Sequence, residues 1–323
     1  MGELLALLAL VMYSTNVIVT KIASDKLDLN LGFTISVAVN VVCGGGVLLV
    51  QQALREAPMG WHPEAFGWFL LAGVFSTFLG RWLFFHAVAV LGPAKSSAFQ
   101  VSNPMFTVVI AWIFLGETLG ASSLMAIGVT VVGLLLVSYV PGMFSRTPVA
   151  AVPPGAGGEA AALVALPPNH WAATVRGAAR SGVALALFSA ASYSVSNVLR
   201  GAAVRSWNEP ILGATLGALV GMTCHLVANR RKLQRSWSML GASRRDGLLL
   251  YVLIGLLTIT AQVSSISSMH YIPVSISNMI TMSMPVLVTP ASYFLLKNKE
   301  NLRPHTVVGI LLVLAGITMV VLR

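Results

Sequence analysis

The residues best able to handle a solute cluster between Gly80 and Leu119 of this 323-residue sequence, in two apolar stretches joined at Gly92-Pro93. Arg81 falls near the middle of the first. An arginine at the centre of a membrane helix costs about 2.5–3.5 kcal/mol on insertion scales, so it is expected to face a packed interior or a wet cavity. There its planar fork suits a carboxylate or phosphate, the other reading being a structural cation bonded to backbone carbonyls. His86 lies well round the helix from Arg81 and shares its face with Trp82. It is either a hydrogen-bonded structural histidine or a proton carrier. Gln100 and Asn103, three apart and followed by Pro104, serve equally as glue between helices or as solute contacts. The same two readings apply to Tyr193 and Asn197, four apart. Gln262 opens a serine-rich stretch that suits a wet groove, and Asn278 and Met282 lie in a later span broken by Pro285 and Pro290.

These residues need elements to hold them, and composition says which. Hydrophobic residues make up 56% and charged residues 9% of the chain, against roughly 25% charged in soluble domains. A soluble fold could not cover its surface with so few charges, so the expected class is an all-α integral membrane protein. The net charge of +10 lies mostly between apolar segments, which points to a lipid surface and not to nucleic acid. Cys43 and Cys224 read as small buried hydrophobes; no metal-ligand spacing or cofactor motif is present, and no catalytic residue set is expected. The first apolar run has Glu3 and no basic residue ahead of it, so it reads as a spanning helix and not as a signal peptide.

The apolar spans run at about 2–20, 31–53, 65–90, 94–115 and 121–139, then 181–199, 209–228, 247–269, 274–296 and 304–322. Between the two sets of five lies an Ala/Pro/Gly-rich linker. The expected organisation is a first repeat over 1–139, a linker over 140–180 and a second repeat over 181–323. Tyr13 and Asn16 echo Tyr193 and Asn197, Pro93 echoes Pro273, Asn103-Pro104 echoes Met284-Pro285, and Ser36, Asn40 and Gly44 echo Gly213, Gly217 and Gly221. An odd number of spans per half turns the second half upside down. Inverted repeats of this kind place a solute site near the membrane midplane.

Asn16 and Lys21, the run GPAKSSAFQVSNPMFTVVIAWIFLGETL and its echo IPVSISNMITMSMPVLVTPASYFLLKNKENL resemble the drug/metabolite transporter superfamily, of the ten-helix EamA type. The resemblance implies export of amino acids, other metabolites or amphiphilic compounds, and no enzyme activity. The second half has Lys297-Asn298-Lys299-Glu300 where the first has Gly116-Glu117. Both glutamates read as caps or loop residues.

All ten acidic residues fall at segment ends or in loops. An exporter of lipophilic cations needs a buried carboxylate, so amino acids or organic acids are the favoured solutes. The expectation is a secondary transporter working by alternating access, an exporter of small metabolites in a bacterial inner (plasma) membrane. The candidate cavity residues are those named above together with Asn16. The alternatives are a channel or facilitator, a scaffold without alternating access, or an exporter of amphiphilic drugs. Its partners are a small-molecule solute and the bilayer, with monomer and homodimer both open. Fifteen Lys or Arg fall in the odd connections against three, Arg55, Arg200 and Arg205, in the even ones. The positive-inside rule puts both termini outside, whereas the resemblance implies cytoplasmic termini.

Overall fold

The computed structural model describes residues 1–24, 26–27, 29–55, 59–80, 83–84, 87, 99–137, 182–237, 245–295 and 304–321. Arg81, Trp82, His86, the linker over 140–180 and Glu300 lie outside the described residues.

Within lipid every backbone N–H and C=O must find its partner inside the chain, and a long apolar run achieves this as a helix. The first half supplies α1 (Gly2–Ser24), α2 (Leu29–Leu54), α3 (Pro63–Gly73, continued as a π-helical Val74–Gly80), α4 (Asn103–Leu115) and α5 (Ala121–Val137). The second supplies α6 (Gly182–Ser206), α7 (Pro210–Trp237), α8 (Arg245–Tyr271), α9 in two pieces (Val274–Thr281 and Pro285–Leu295) and α10 (Pro304–Val321). By length and composition six of these described helices can cross a membrane, and α4, α5, α9 and α10 are shorter apolar helices. One expected boundary is corrected. Arg200 and Arg205 were placed in a connection after a span ending at 199, but α6 runs on to Ser206. Arg200 therefore lies inside a helix, because the apolar Gly201–Val204 beyond it is buried or half-buried and keeps the helix packed.

The halves interleave. α1 packs on α8 as α6 packs on α3, and α1 meets α9 as α6 meets α4. α2 meets α7, α4 meets α9, and α5 meets α10. Each of these contacts thus either has a twin or is its own twin, the mark of a twofold relation. Five crossings per half turn that axis into the membrane plane.

The twins extend to single hydrogen bonds. Asn16 Nδ2 on α1 donates to the Ile254 carbonyl (3.0 Å) and to Thr258 Oγ1 (2.7 Å) on α8, and Thr258 Oγ1 donates to the same carbonyl (2.7 Å). Ser196 Oγ on α6 donates to the Ala72 carbonyl on α3 (2.7 Å), which Ser76 Oγ also reaches (2.9 Å). By these bonds the counterpart of Asn16 is Ser196, one residue before the Asn197 that the sequence echo pairs with it.

Close approach of α5 and α10 rests on two glycines. A Cβ on Gly133 would lie 2.7 Å from the Gly309 carbonyl oxygen, and one on Gly309 would lie 2.6 Å from the Gly133 carbonyl oxygen. Backbone meets backbone here, the contact that small residues permit in lipid. Gly309→Leu is expected to push α10 off α5 and destabilise the protein by about 1–3 kcal/mol, the cost of overpacking. Thermal unfolding in detergent checks this, with Gly46→Leu, at a position with open space around it, expected to leave the midpoint nearly unchanged.

Candidate functional site

Three helices meet over a set of side-chain amides. Asn278 Nδ2 on α9 donates to Asn103 Oδ1 (2.7 Å) and Thr107 Oγ1 (2.8 Å) on α4, while Asn278 Oδ1 accepts from Asn197 Nδ2 on α6 (2.8 Å). Ser194 Oγ donates to the Asn103 carbonyl (2.8 Å). Asn103, Thr107 and Asn278 are buried. Nearby, Gln100 Nε2 donates to Ser189 Oγ (2.8 Å), which donates to the Gly80 carbonyl at the end of the π-helical turn (2.8 Å).

This layer coincides with two helix breaks. α4 begins at Asn103-Pro104 after a turn at 101–102, and α9 turns at 282–284 before Pro285. Proline removes a backbone donor, and local bonds hold the turn that precedes Pro285. Met282 N–H reaches the Asn278 carbonyl (2.9 Å), Thr281 Oγ1 the Ser277 carbonyl (3.0 Å) and Ser283 Oγ the Met279 carbonyl (2.8 Å). Met282 itself is half-buried at this turn.

A second polar region is built around Arg200. Its Nη2 donates to Ser76 Oγ in the π-helical turn of α3 (3.3 Å) and lies 3.4 Å from where a Gly217 Cβ would stand on α7. Gln262 Oε1 on α8 is 3.9 Å from the same point. Tyr13 on α1 and Tyr193 on α6 are near enough to the guanidinium to act on it electrostatically, and the Tyr193 ring lies against Gly80. Arg200 is half-buried and, among the described residues, pairs with no carboxylate.

The expected site residues thus separate. Asn103, Asn197 and Asn278 form one network, Gln100 just before the turn into α4 reaches α6, and Asn16 joins α1 to α8. Tyr193 and Gln262 surround Arg200. The serines after Gln262 were expected to line a wet groove, but Ser264, Ser265 and Ser268 are buried, and Ser268 bonds Ser277 Oγ of α9. Ser268 thus joins α8 to α9, because a hydroxyl in a helix can satisfy a neighbouring hydroxyl or its own turn without water. Arg200 was missed, although Tyr193, Asn197 and Arg200 follow an i, i+4, i+7 face and an apolar turn follows them.

The end of the bundle that carries both termini is tied shut. Gly116, in the left-handed conformation (φ 63°), turns the chain so that Glu117 reaches α9. Glu117 accepts from the backbone N–H of Val274 (2.8 Å), from Ser275 Oγ (3.0 Å) and from Arg205 (2.5 Å). It is a cap as expected, but of α9 and not of the α5 it precedes. Arg55 at the end of α2 pairs with buried Glu209 before α7 (2.6 Å), beside an edge-on contact of Trp61 and Trp207.

Asn278→Ala is expected to destabilise by about 1–2 kcal/mol, since Asn103, Thr107 and Asn197 lose a common partner. A double-mutant cycle with Asn103→Ala, read by unfolding in mixed micelles, should return a coupling of about 0.6–1.7 kcal/mol, between the average and the maximum for hydrogen bonds between membrane helices. Additive losses would show that the network holds nothing together.

Comparison with known proteins agrees with this architecture. No curated protein matches the chain. Among solved structures, one crystal structure of a protein covers 99% of this chain and 96% of its own, with a TM-score of 0.68 at 13% identity, a likeness of fold alone. The model of the EamA-like transporter family matches residues 1–139 and again 180–322. With a duplicated match over nearly all its length and two interleaved five-helix halves, the chain belongs to the EamA-like transporter family: it is a multi-pass membrane transporter and not an enzyme.

Proposed function

We propose that the protein is a secondary transporter that exports small metabolites by alternating access, with amino acids or organic acids as its solutes. The observation that carries this reading is the twofold interleaving of the halves around a polar layer at two broken helices. Discontinuous helices at a repeat interface are where such carriers bind solute, and rocking of one half against the other exposes the site to each side in turn. The Glu117–Arg205 and Arg55–Glu209 ties close one end, so opening that end requires breaking them. For the solute, the distribution of charge is the guide. Among the described residues Glu3, Glu64 and Asp246 lie in first turns and Glu117 and Glu209 in connections. None of these described acids stands in the middle of a span, where it could neutralise a lipophilic cation. The amide network and the bonds of Gln100 and Asn16 support these residues as the frame of the site.

Counterflow in proteoliposomes tests the mechanism. Vesicles preloaded with an unlabelled amino acid pool are expected to take up the labelled pool saturably and faster than empty vesicles. Uptake that neither saturates nor responds to internal solute would favour the channel reading.

We also infer that the termini face outward, in a bacterial inner membrane. Moving Arg200 out of the connections leaves two basic residues, Arg55 and Arg205, at the even connections, and strengthens the positive-inside argument. A periplasm-active reporter fused after Arg323 is expected to be active. Activity only of a cytoplasmic reporter would reverse the orientation.

A further inference from the structure

The geometry points to Arg200 as the group that receives the anionic end of the solute, in a chamber completed by Tyr13, Gln262 and Ser76 beside the bare backbone of Gly217. This rests on the transporter reading and adds to it where the solute is held and what it must carry.

Depth is the first argument. At 1.5 Å per residue, Ser76 lies about 20 Å along α3 from Pro63, Tyr13 about 16 Å along α1 from Gly2, Gln262 about 13 Å from Tyr271 and Gly217 about 10 Å from Pro210. All four are measured from the same end of the bundle. Arg200 leaves its backbone about 9 Å from Ser206, and helical side chains point back toward the N-terminus, which carries its head deeper. The groups meet in one layer near the middle of a core about 30 Å thick.

Unused bonding capacity is the second. A guanidinium has five N–H donors, and among the described residues Arg200 spends one on Ser76 Oγ. Gln262 makes no hydrogen bond to any described residue, and neither does the Tyr13 hydroxyl. Arginine in a membrane interior without an acid partner is costly, and a fork flanked by a phenol and an amide is the donor set that a carboxylate satisfies. Gly217 presents no side chain to the fork, a Cβ there standing 3.4 Å from Arg200 Nη2 and 3.9 Å from Gln262 Oε1.

Broken symmetry is the third. Thr20 stands four residues after Asn16 and reaches back to Asn16 Oδ1 (3.4 Å), whereas Arg200 stands four after Ser196 and reaches across to Ser76 on α3. The twin positions differ by one full charge. The chamber is therefore polarised toward the second half, and a solute with one anionic end binds in one orientation.

The test needs no knowledge of the natural solute. In full-length protein with Cys43→Ala and Cys224→Ala, a reporter Gln262→Cys is labelled in detergent with anionic sulfonatoethyl and cationic trimethylammonioethyl methanethiosulfonates. Each rate is normalised to that with 2-mercaptoethanol. The anionic-to-cationic ratio is expected to be about tenfold or more above that of Gly60→Cys, which lies at an exposed connection, as Coulomb attraction across a partly wet chamber requires. Adding Arg200→Gln should remove the difference. A reporter at 262 that neither reagent reaches, a ratio equal to that at 60, or a ratio that Arg200→Gln leaves in place would each overturn the site. Should Arg200→Gln fail to fold, the comparison of the two reporters with Arg200 intact decides. A polarised chamber in a protein without counterflow would leave the site standing and remove the transporter reading; counterflow with an unpolarised chamber would do the reverse.

Discussion

Lipid offers no hydrogen bonds, and that single constraint governs the rest of this structure. Helices satisfy the backbone within themselves, but polar side chains must be satisfied by other helices or by their own turn. The result is a set of bonds that also assembles the bundle. Asn278 joins α9 to α4 and α6, Asn16 joins α1 to α8, Ser196 joins α6 to α3, and Ser268 joins α8 to α9. Each polar residue in these positions replaces the hydrophobic drive that a soluble core would use, since lipid tails are as apolar as leucine.

The same bonds explain why duplication is preserved in geometry more than in sequence. What must be kept is a donor that reaches a carbonyl across an interface. An asparagine does this for Ile254 and a serine for Ala72, so the two halves differ in residue type while agreeing in role. Small residues are kept for a comparable reason, because Gly133 and Gly309 let α5 and α10 touch backbone to backbone. Where the halves do part, at Thr20 and Arg200, the difference is a charge, and no packing argument requires it.

The two ends of the bundle are held differently from its middle. At the terminal end the ties are ionic and partly exposed, Glu117 with Arg205 and Arg55 with Glu209. In each pair the carboxylate is buried and the arginine half-buried. Glu117 adds a cap on α9, placing a negative charge at a helix N-terminus where the macrodipole favours it. In the middle, the amides are buried and mutually satisfied, which suits a frame.

Composition and spacing alone determined the membrane class, the ten spans, their division into five and five and the odd count that inverts the second half. Those properties are local: a run of apolar residues is a helix in lipid whatever its neighbours. The polar residues that matter were also visible, because an amide or a cation in an apolar run stands out. What they bond to was not, since Asn16 meets Thr258 and Asn103 meets Asn278 only when helices far apart in the chain are laid side by side. The role of Glu117 was legible as a cap, but the helix it caps lies 157 residues further on. Arg200 shows the division most sharply. On hydropathy it ends a span, and an arginine at a helix end is ordinary. Only the packing of α6 against α3 and α7, with Ser76 and Gly217 at the right height, carries that charge into the interior. A cation's place in a membrane is decided by the partners that can satisfy it, and those belong to the tertiary structure.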